Sequence, residues 1–286
     1  MCDAGKATGS NTVTVKTPTV RLELESRPES VTLVRGMLSG IAETLALEPE
    51  LLDDLKTAVS EASNNVVIHA YEGNVGPLIV EFELEPDRID VTVRDHGTGI
   101  HGVAPKRDRM AVGMAVMSAL SDRTEFISLP EGGTEVRMSF DARIKARPGG
   151  GKDDMEEEWP SQLAGDVVVK LSSQELLAGV LGRMARAIAA RAHFSVDRYS
   201  DLYPVTDAIA DHARSAASSQ GISFSIAGGR RRMELVIGKF RDGSSKQLRA
   251  EASHSSRLAR LADEVTVEPD GDGEMLRVVV ADKRRS

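Results

Sequence analysis

The amino-acid sequence predicts an α+β fold, a two-layer sandwich duplicated in tandem. Three observations predict it. Strand-like alternation and helix-like spacing come in blocks, so helices group apart from mostly antiparallel strands. A Gly- and Glu-rich interruption from Ala146 to Glu158 divides the chain. The succession of elements before that interruption recurs after it.

Residues 1–17 are small and polar and read as a flexible tail. Val20 to Glu25 alternates apolar and polar, the mark of a half-buried strand. Val31, Val34, Leu38, Ile41 and Leu45 have helical spacing, and Ser30 before them is a reasonable N-cap. Pro49 opens a second helix, expected from Glu50 to Ala70. Leu78–Leu84 and Ile89–Arg94 are strands around the turn Pro86-Asp87-Arg88. His101 to Met110 reads as irregular. A helix is expected from Val112 to Ser121, then strands Arg123–Leu129 and Thr134–Phe140 joined through Glu131-Gly132-Gly133.

The second half follows the same order. Asp166–Leu171 is a strand, Gln174–Ala190 a helix, and Val196–Ser218 a second helical stretch with Pro204 near its start. Ile222–Ala227 and Met233–Lys239 are paired strands. Glu251–Leu261 is a helix, followed by strands Glu264–Val267 and Met275–Ala281. The division expected is a first domain over 18–145, a linker over 146–163 and a second domain over 164–286.

Composition narrows the function. The net charge of −8 over 286 residues leaves no broad basic field for nucleic acid. The single cysteine, Cys2, excludes an intrachain disulfide framework and suits a reducing compartment. No apolar run approaches the ~18 residues of a membrane helix, and no signal-peptide core follows Met1. The expectation is a soluble, cytoplasmic protein whose core is built from aliphatic side chains, aromatics being only 3%.

The chemistry concentrates between Leu55 and Ile100. Glu61 and Asn65 are four apart and so stack on one helical face, with His69 a turn further on. An Asn carbonyl can ligate Mg²⁺ alongside phosphate oxygens, and a carboxylate one turn away can take a proton from an attacking group. Asp95-His96-Gly97-Thr98-Gly99 leaves a strand. Gly97 and Gly99 there permit positive φ and close backbone approach, and an aspartate at a strand end can accept from the exocyclic amine of adenine. The plainer readings are a solvated polar helix face and an ordinary glycine turn with a capping Asp. Met110, Met114 and Met117 read as packing, and Arg230-Arg231-Arg232 as a solvated hairpin tip.

With both motifs in this order around a hairpin, the sequence resembles the GHKL ATPases, and within them the anti-sigma-factor serine kinases. Ala58-Val59-Ser60-Glu61-Ala62 with Asn65 and His69-Ala70-Tyr71 is similar to the N box of that group. Asp95 to Ile100 is similar to its G1 box. Leu120-Ser121-Asp122-Arg123 with Gly132-Gly133-Thr134-Glu135-Val136 resembles its closing segment. The resemblance covers Val20 to Phe140 and implies a two-layer α/β sandwich of the histidine kinase/Hsp90-like ATPase type. It implies ATP and Mg²⁺ as cofactors, Glu61 as catalytic base, Asn65 as Mg²⁺ ligand and Asp95 as adenine contact. Gly97, Gly99 and Gly113 would form the nucleotide loops, and Thr134 would help hold the base. The implied partners are a sigma factor and an anti-anti-sigma protein of the STAS type, with no direct nucleic acid and no membrane. One departure stands at the second glycine motif, where Ala111 replaces the first glycine. If that position needs positive φ, alanine costs about 1 kcal/mol there and impairs lid closure.

The second half lacks these motifs. Ala208 and His212 fall opposite Glu61 and Asn65, and Lys239 stands where Asp95 would be. The expectation is a degenerate copy that does not bind ATP, docked as a substitute subunit in a monomeric pseudo-dimer, since a short linker sets an effective concentration of ~mM. The activity expected is serine/threonine phosphorylation of the anti-anti-sigma protein. Its rivals are a non-catalytic nucleotide-gated regulator, the ATP module of a two-component system, and a scaffold without nucleotide. A sensor histidine kinase would carry a phosphoacceptor His on a long helix before the ATP domain, and Met1–Pro28 offers none.

Overall fold

The computed structural model describes residues 19–99, 108–144, 149, 160, 162–219, 221–248 and 257–283. Ten strands form one sheet: β1 (Thr19–Glu25), β2 (Pro77–Leu84), β3 (Arg88–Asp95), β4 (Arg123–Ser128), β5 (Thr134–Asp141), β6 (Val167–Leu171), β7 (Ile222–Gly229), β8 (Arg232–Arg241), β9 (Glu264–Asp270) and β10 (Gly273–Ala281). Their order is β4-β5-β3-β2-β1-β6-β7-β8-β10-β9, and all the pairings are antiparallel. Read outward from the central β1–β6 pair, both halves have the same order. The halves share this one sheet, and most of the linker expected over 146–163 lies outside the described residues.

The helices are α1 (Pro28–Leu45), α2 (Pro49–Asn65), α3 (Asp108–Leu120), α4 (Leu177–Arg191), α5 (Val196–Ser200), α6 (Leu202–Ala216) and α7 (Arg257–Leu261). Strand alternation explains the layering. In β1, Val20, Leu22 and Leu24 are buried in the core with Leu33, Met37 and Ile41 of α1. Arg21 and Glu23, on the other face, pair with each other, and Arg21 also reaches Glu81 of β2 at 2.8 Å. Arg94, Glu135 and Arg137 continue this ionic face on β3 and β5. Cross-strand charge pairs suit a half-wet face, whereas the apolar face needs a helical cover.

Helix α1 and the α5–α6 stretch differ from expectation. Ser30 is not an N-cap. Pro28 begins α1, fixed φ and a missing N–H being no handicap in a first turn, and the buried Ser30 hydroxyl donates to the Glu25 carbonyl at 2.6 Å. The helix expected over Val196–Ser218 is two. Pro204 has no N–H for the Ser200 carbonyl, and the chain breaks at Asp201 between α5 and α6. Of the helix expected over Glu251–Leu261, residues 251–256 lie outside the described residues.

The halves meet along two seams. In the sheet, Leu22 faces Val169, and the Thr19 N–H donates to Ser172 Oγ at 2.7 Å. Above it, α1 packs on α4. A Cβ on Gly40 would lie 2.5 Å from the Gly179 carbonyl oxygen, and one on Gly179 would lie 2.5 Å from that of Gly40. The two backbones touch because neither residue has a side chain. Arg183 pairs with Glu43 beside this crossing at 2.9 Å.

Candidate functional site

The helical side of the site is built by α2. Leu55, Ala58, Val59 and Ala62 bury one stripe of it. That places Glu61 and Asn65 on the flank that faces α3. The helix expected to run on to Ala70 changes character after Asn65: Val66–Ala70 is one π-turn. Such wide turns insert a residue and redirect the side chains beyond them. Here the turn keeps Asn65 and His69 on one cavity and delivers the Ala70 carbonyl to the next loop, where it accepts the Thr98 N–H at 3.0 Å.

The strand side is built by β3 and β5. Asp95 ends β3 opposite Leu78 and is only 4% exposed. Burial pushes its carboxyl above the usual carboxylate range, against the Gly97 N–H, the backbone and hydroxyl of Thr134 and the nearby His96, which favour the charged form. Oδ1 accepts from the Gly97 N–H at 2.8 Å. On the opposite, ionic face of the sheet, Glu135 is also buried. Burial works against its charge, but the Arg94 and Arg137 guanidiniums outweigh that and hold its carboxyl below the usual range.

The glycines divide by role. Gly99 has φ +76°, as expected. Gly97 does not have positive φ, which corrects that expectation; a Cβ there would lie 2.0 Å from the Ala70 carbonyl oxygen, so close backbone packing requires the glycine. Gly133 requires glycine for both reasons, with φ +95° and a notional Cβ 2.2 Å from the Asp95 carbonyl oxygen. Gly113 lies inside α3, where a Cβ would come within 3.0 Å of Glu61 Oε2 and 3.7 Å of the Asn65 amide atoms. Helix α3 therefore lies directly on the Glu61–Asn65 pair.

Asn65, His69, Asp95, Gly99 and Thr134 line one cavity of about 50 Å³, with Val93, Phe126, Val136, Met110 and Met114 as apolar walls. Glu61 and Gly113 adjoin it through Asn65. Gly97 braces the loop from behind. Two supports had no assigned role in the sequence. Tyr71 accepts the His96 N–H at 2.9 Å and donates to the Pro77 carbonyl at 2.6 Å, its ring filling the space left at Gly76. Gly133 holds β5 against Asp95. Both lie within segments quoted above for their resemblance.

Residues 24–140 match the model of the histidine kinase-like ATPase domain. An anti-sigma F factor from Caldanaerobacter subterraneus is 32% identical over 130 residues, 42% of this chain and 91% of that protein. This chain belongs to the histidine kinase-like ATPase family. An anti-sigma F factor from Clostridium perfringens is 33% identical over 130 residues, 42% of this chain and 93% of that protein. A serine-protein kinase RsbW from Listeria innocua is 44% identical over 80 residues, 28% of this chain and 51% of that protein. A solved structure of the RsbU and RsbW domains of a Mycobacterium tuberculosis protein aligns over 95% of this chain and 88% of that one, at 7% identity and a TM-score of 0.28, too low to indicate a common arrangement.

Within this ATPase domain the departure at Ala111 proves harmless to the backbone. Helix α3 begins at Asp108, not at Val112, so Ala111 stands in its first turn with ordinary helical φ and an exposed side chain. The expected strain is absent. Of the segment His101–Met110 read as irregular, residues 101–107 lie outside the described residues. No helix among the described residues is long and apolar enough to cross a membrane.

Proposed function

We propose that this protein is an Mg-ATP-dependent anti-sigma regulator that phosphorylates a serine or threonine of an anti-anti-sigma partner. The reading rests on the cavity in which Asn65, Asp95 and Thr134 converge with Glu61 adjacent. The names of the relatives support it: anti-sigma F factor and serine-protein kinase. The ATP domain is residues 18–145, and the setting is the cytoplasm, where sigma factors work.

The residues present fit the nucleotide. The buried Asp95 carboxylate is an acceptor at the end of a slot with apolar walls, the combination that selects an amino-bearing purine. Thr134 shares that end. The slot is narrow, and seating a base requires Met110 and Met114 to shift, which unbranched methionines do readily. Metal chemistry fits as well. Among the described residues no cluster of three or more His, Cys, Asp or Glu could cage an ion. Mg²⁺ instead suits one amide oxygen, that of Asn65, with water and phosphate completing its shell. When bound it neutralises charge on the transferring phosphoryl group.

The roles follow from position. Asp95 fixes the base, and Gly99 and the N-terminal turn of α3 face the phosphates. Glu61 takes the proton of the attacking serine or threonine hydroxyl as the new P–O bond forms and the bond to ADP breaks. Gly113 lets α3 approach this carboxylate. The helical φ of Ala111 supports the catalytic reading over the gated, non-catalytic one.

Incubation with γ-labelled ATP and a panel of candidate STAS-type proteins tests the reading. Label should appear on the partner's serine or threonine. Glu61→Gln should reduce transfer at least ~100-fold while leaving nucleotide affinity within about threefold. Equal transfer by wild type and variant would remove Glu61 from the base role, and the absence of nucleotide binding would overturn the reading.

A further inference from the structure

The second half contains a buried polar cluster that the function above does not use. Sheet register locates it. Val93 pairs with Val80 and Val136 in the first half; Ile237 pairs with Phe224 and Leu276 in the second. Two residues along β3 and β8 this sets Asp95 against Lys239. Two residues back on β5 and β10 it sets Thr134 against Glu274, at a bulge. In chain order α6 corresponds to α2, and the sequence offset sets His212 against Asn65.

Two of those replacements, His212 and Glu274, both bond to the loop after β8. His212 Nε2 and Ser245 Oγ are 2.9 Å apart. The Glu274 carboxylate accepts from the Gly243 N–H at 3.1 Å, the Ser245 N–H at 2.5 Å and the Ser244 hydroxyl at 3.3 Å. The His212 ring packs on Phe240, ring centres 5.0 Å apart. Lys239 pairs with Asp272. Ser245 is 0% exposed, Glu274 4% and His212 8%. The loop after β8 is thus folded into the space that corresponds to the first cavity.

We infer that this is a closed pseudo-site. The chain's own Ser245 loop, held by Glu274 and His212, fills the place where a nucleotide sits in the first half, so the two-lobed molecule binds one nucleotide and not two. The count of one rests on the nucleotide reading of the first half; the closure does not. A hydrolytic Ser–His–Glu triad is the competing interpretation of the same residues, and the geometry argues against it. The Glu274 bonds go to the loop and not to His212, and the Ser245 hydroxyl is sealed from solvent, whereas a nucleophile must be reached by substrate. Burial holds the His212 imidazole below its ordinary range, while the Glu274 charge opposes this.

Two measurements on the full-length chain decide it. Calorimetric titration with Mg-ADP should give one equivalent for the wild type and no residual second site for Asp95→Asn. Two equivalents, or one equivalent surviving in the variant, would overturn the closed site. Hydrogen exchange without nucleotide should show the Ser245 amide protected like its β10 neighbours and unchanged on adding Mg-ADP. Fast exchange, or protection gained only with nucleotide, would overturn it too. If the wild type binds no Mg-ADP at all, the nucleotide reading falls, and Ser245 exchange alone still settles the closure.

Discussion

Asp95 can be tested apart from everything around it, because its charge works against folding. A carboxyl whose folded pKa lies above its unfolded value binds its proton more tightly when folded. Its ionised form therefore lowers stability at neutral pH, and that cost is relieved as pH falls. Asp95→Asn retains an oxygen to accept the Gly97 N–H but removes the charge. The variant should melt at or above the wild-type temperature, while ATP affinity falls tenfold or more, ~1.4 kcal/mol. Wild-type affinity should also decline on acidification at a pH above the ordinary carboxylate range, and the decline should be missing in the variant. A variant that binds equally well would remove the adenine assignment. One that unfolds would make Asp95 structural.

The loop after β3 is held by a frame, and the frame was only partly legible in the sequence. Glu61, Asn65, Asp95 and Gly99 announce themselves because chemistry restricts residue type at each. The π-turn over Val66–Ala70 does not, since nothing in Val-Val-Ile-His-Ala distinguishes it from helix. Of the two freedoms read for Gly97 only close approach is used, and only the fold shows that it is the Ala70 carbonyl that lies 2.0 Å from where its Cβ would be. Ala111 misled, its supposed strain depending on where α3 begins. Tyr71 joins three pieces of this frame, and Tyr71→Phe isolates its hydroxyl from its packing. The ring still fills the space at Gly76, but the His96 N–H and Pro77 carbonyl lose a shared partner. Stability should drop by about 1 kcal/mol. Nucleotide affinity should weaken threefold to tenfold through faster dissociation, measured by stopped flow with a fluorescent ADP analogue. Unchanged dissociation would mean that the Ala70 contact alone fixes the loop.

The recurrence of elements was readable from the sequence, but the joining of the halves was not, because β1 and β6 each look like ordinary half-buried strands with no mark of which partner they take. Their pairing places both halves on one sheet and one apolar core. Such a molecule should unfold as a unit, since separating the halves exposes the β1 and β6 edges and the α1–α4 contact together. Gly40→Ala probes that unity. The added methyl group meets the Gly179 carbonyl, which is backbone and cannot swing aside, so α1 and α4 must part slightly. In an isolated helix the same change would be favourable by up to ~1 kcal/mol. Here it should instead destabilise by about 1–3 kcal/mol, as overpacking does. The loss should appear as a single shifted transition when unfolding is followed both by the fluorescence of Tyr71→Trp in the first half and by that of Phe240→Trp in the second. Two separated transitions, or a Gly40→Ala variant more stable than its parent, would show that the halves stand independently and that the continuous sheet does not couple them.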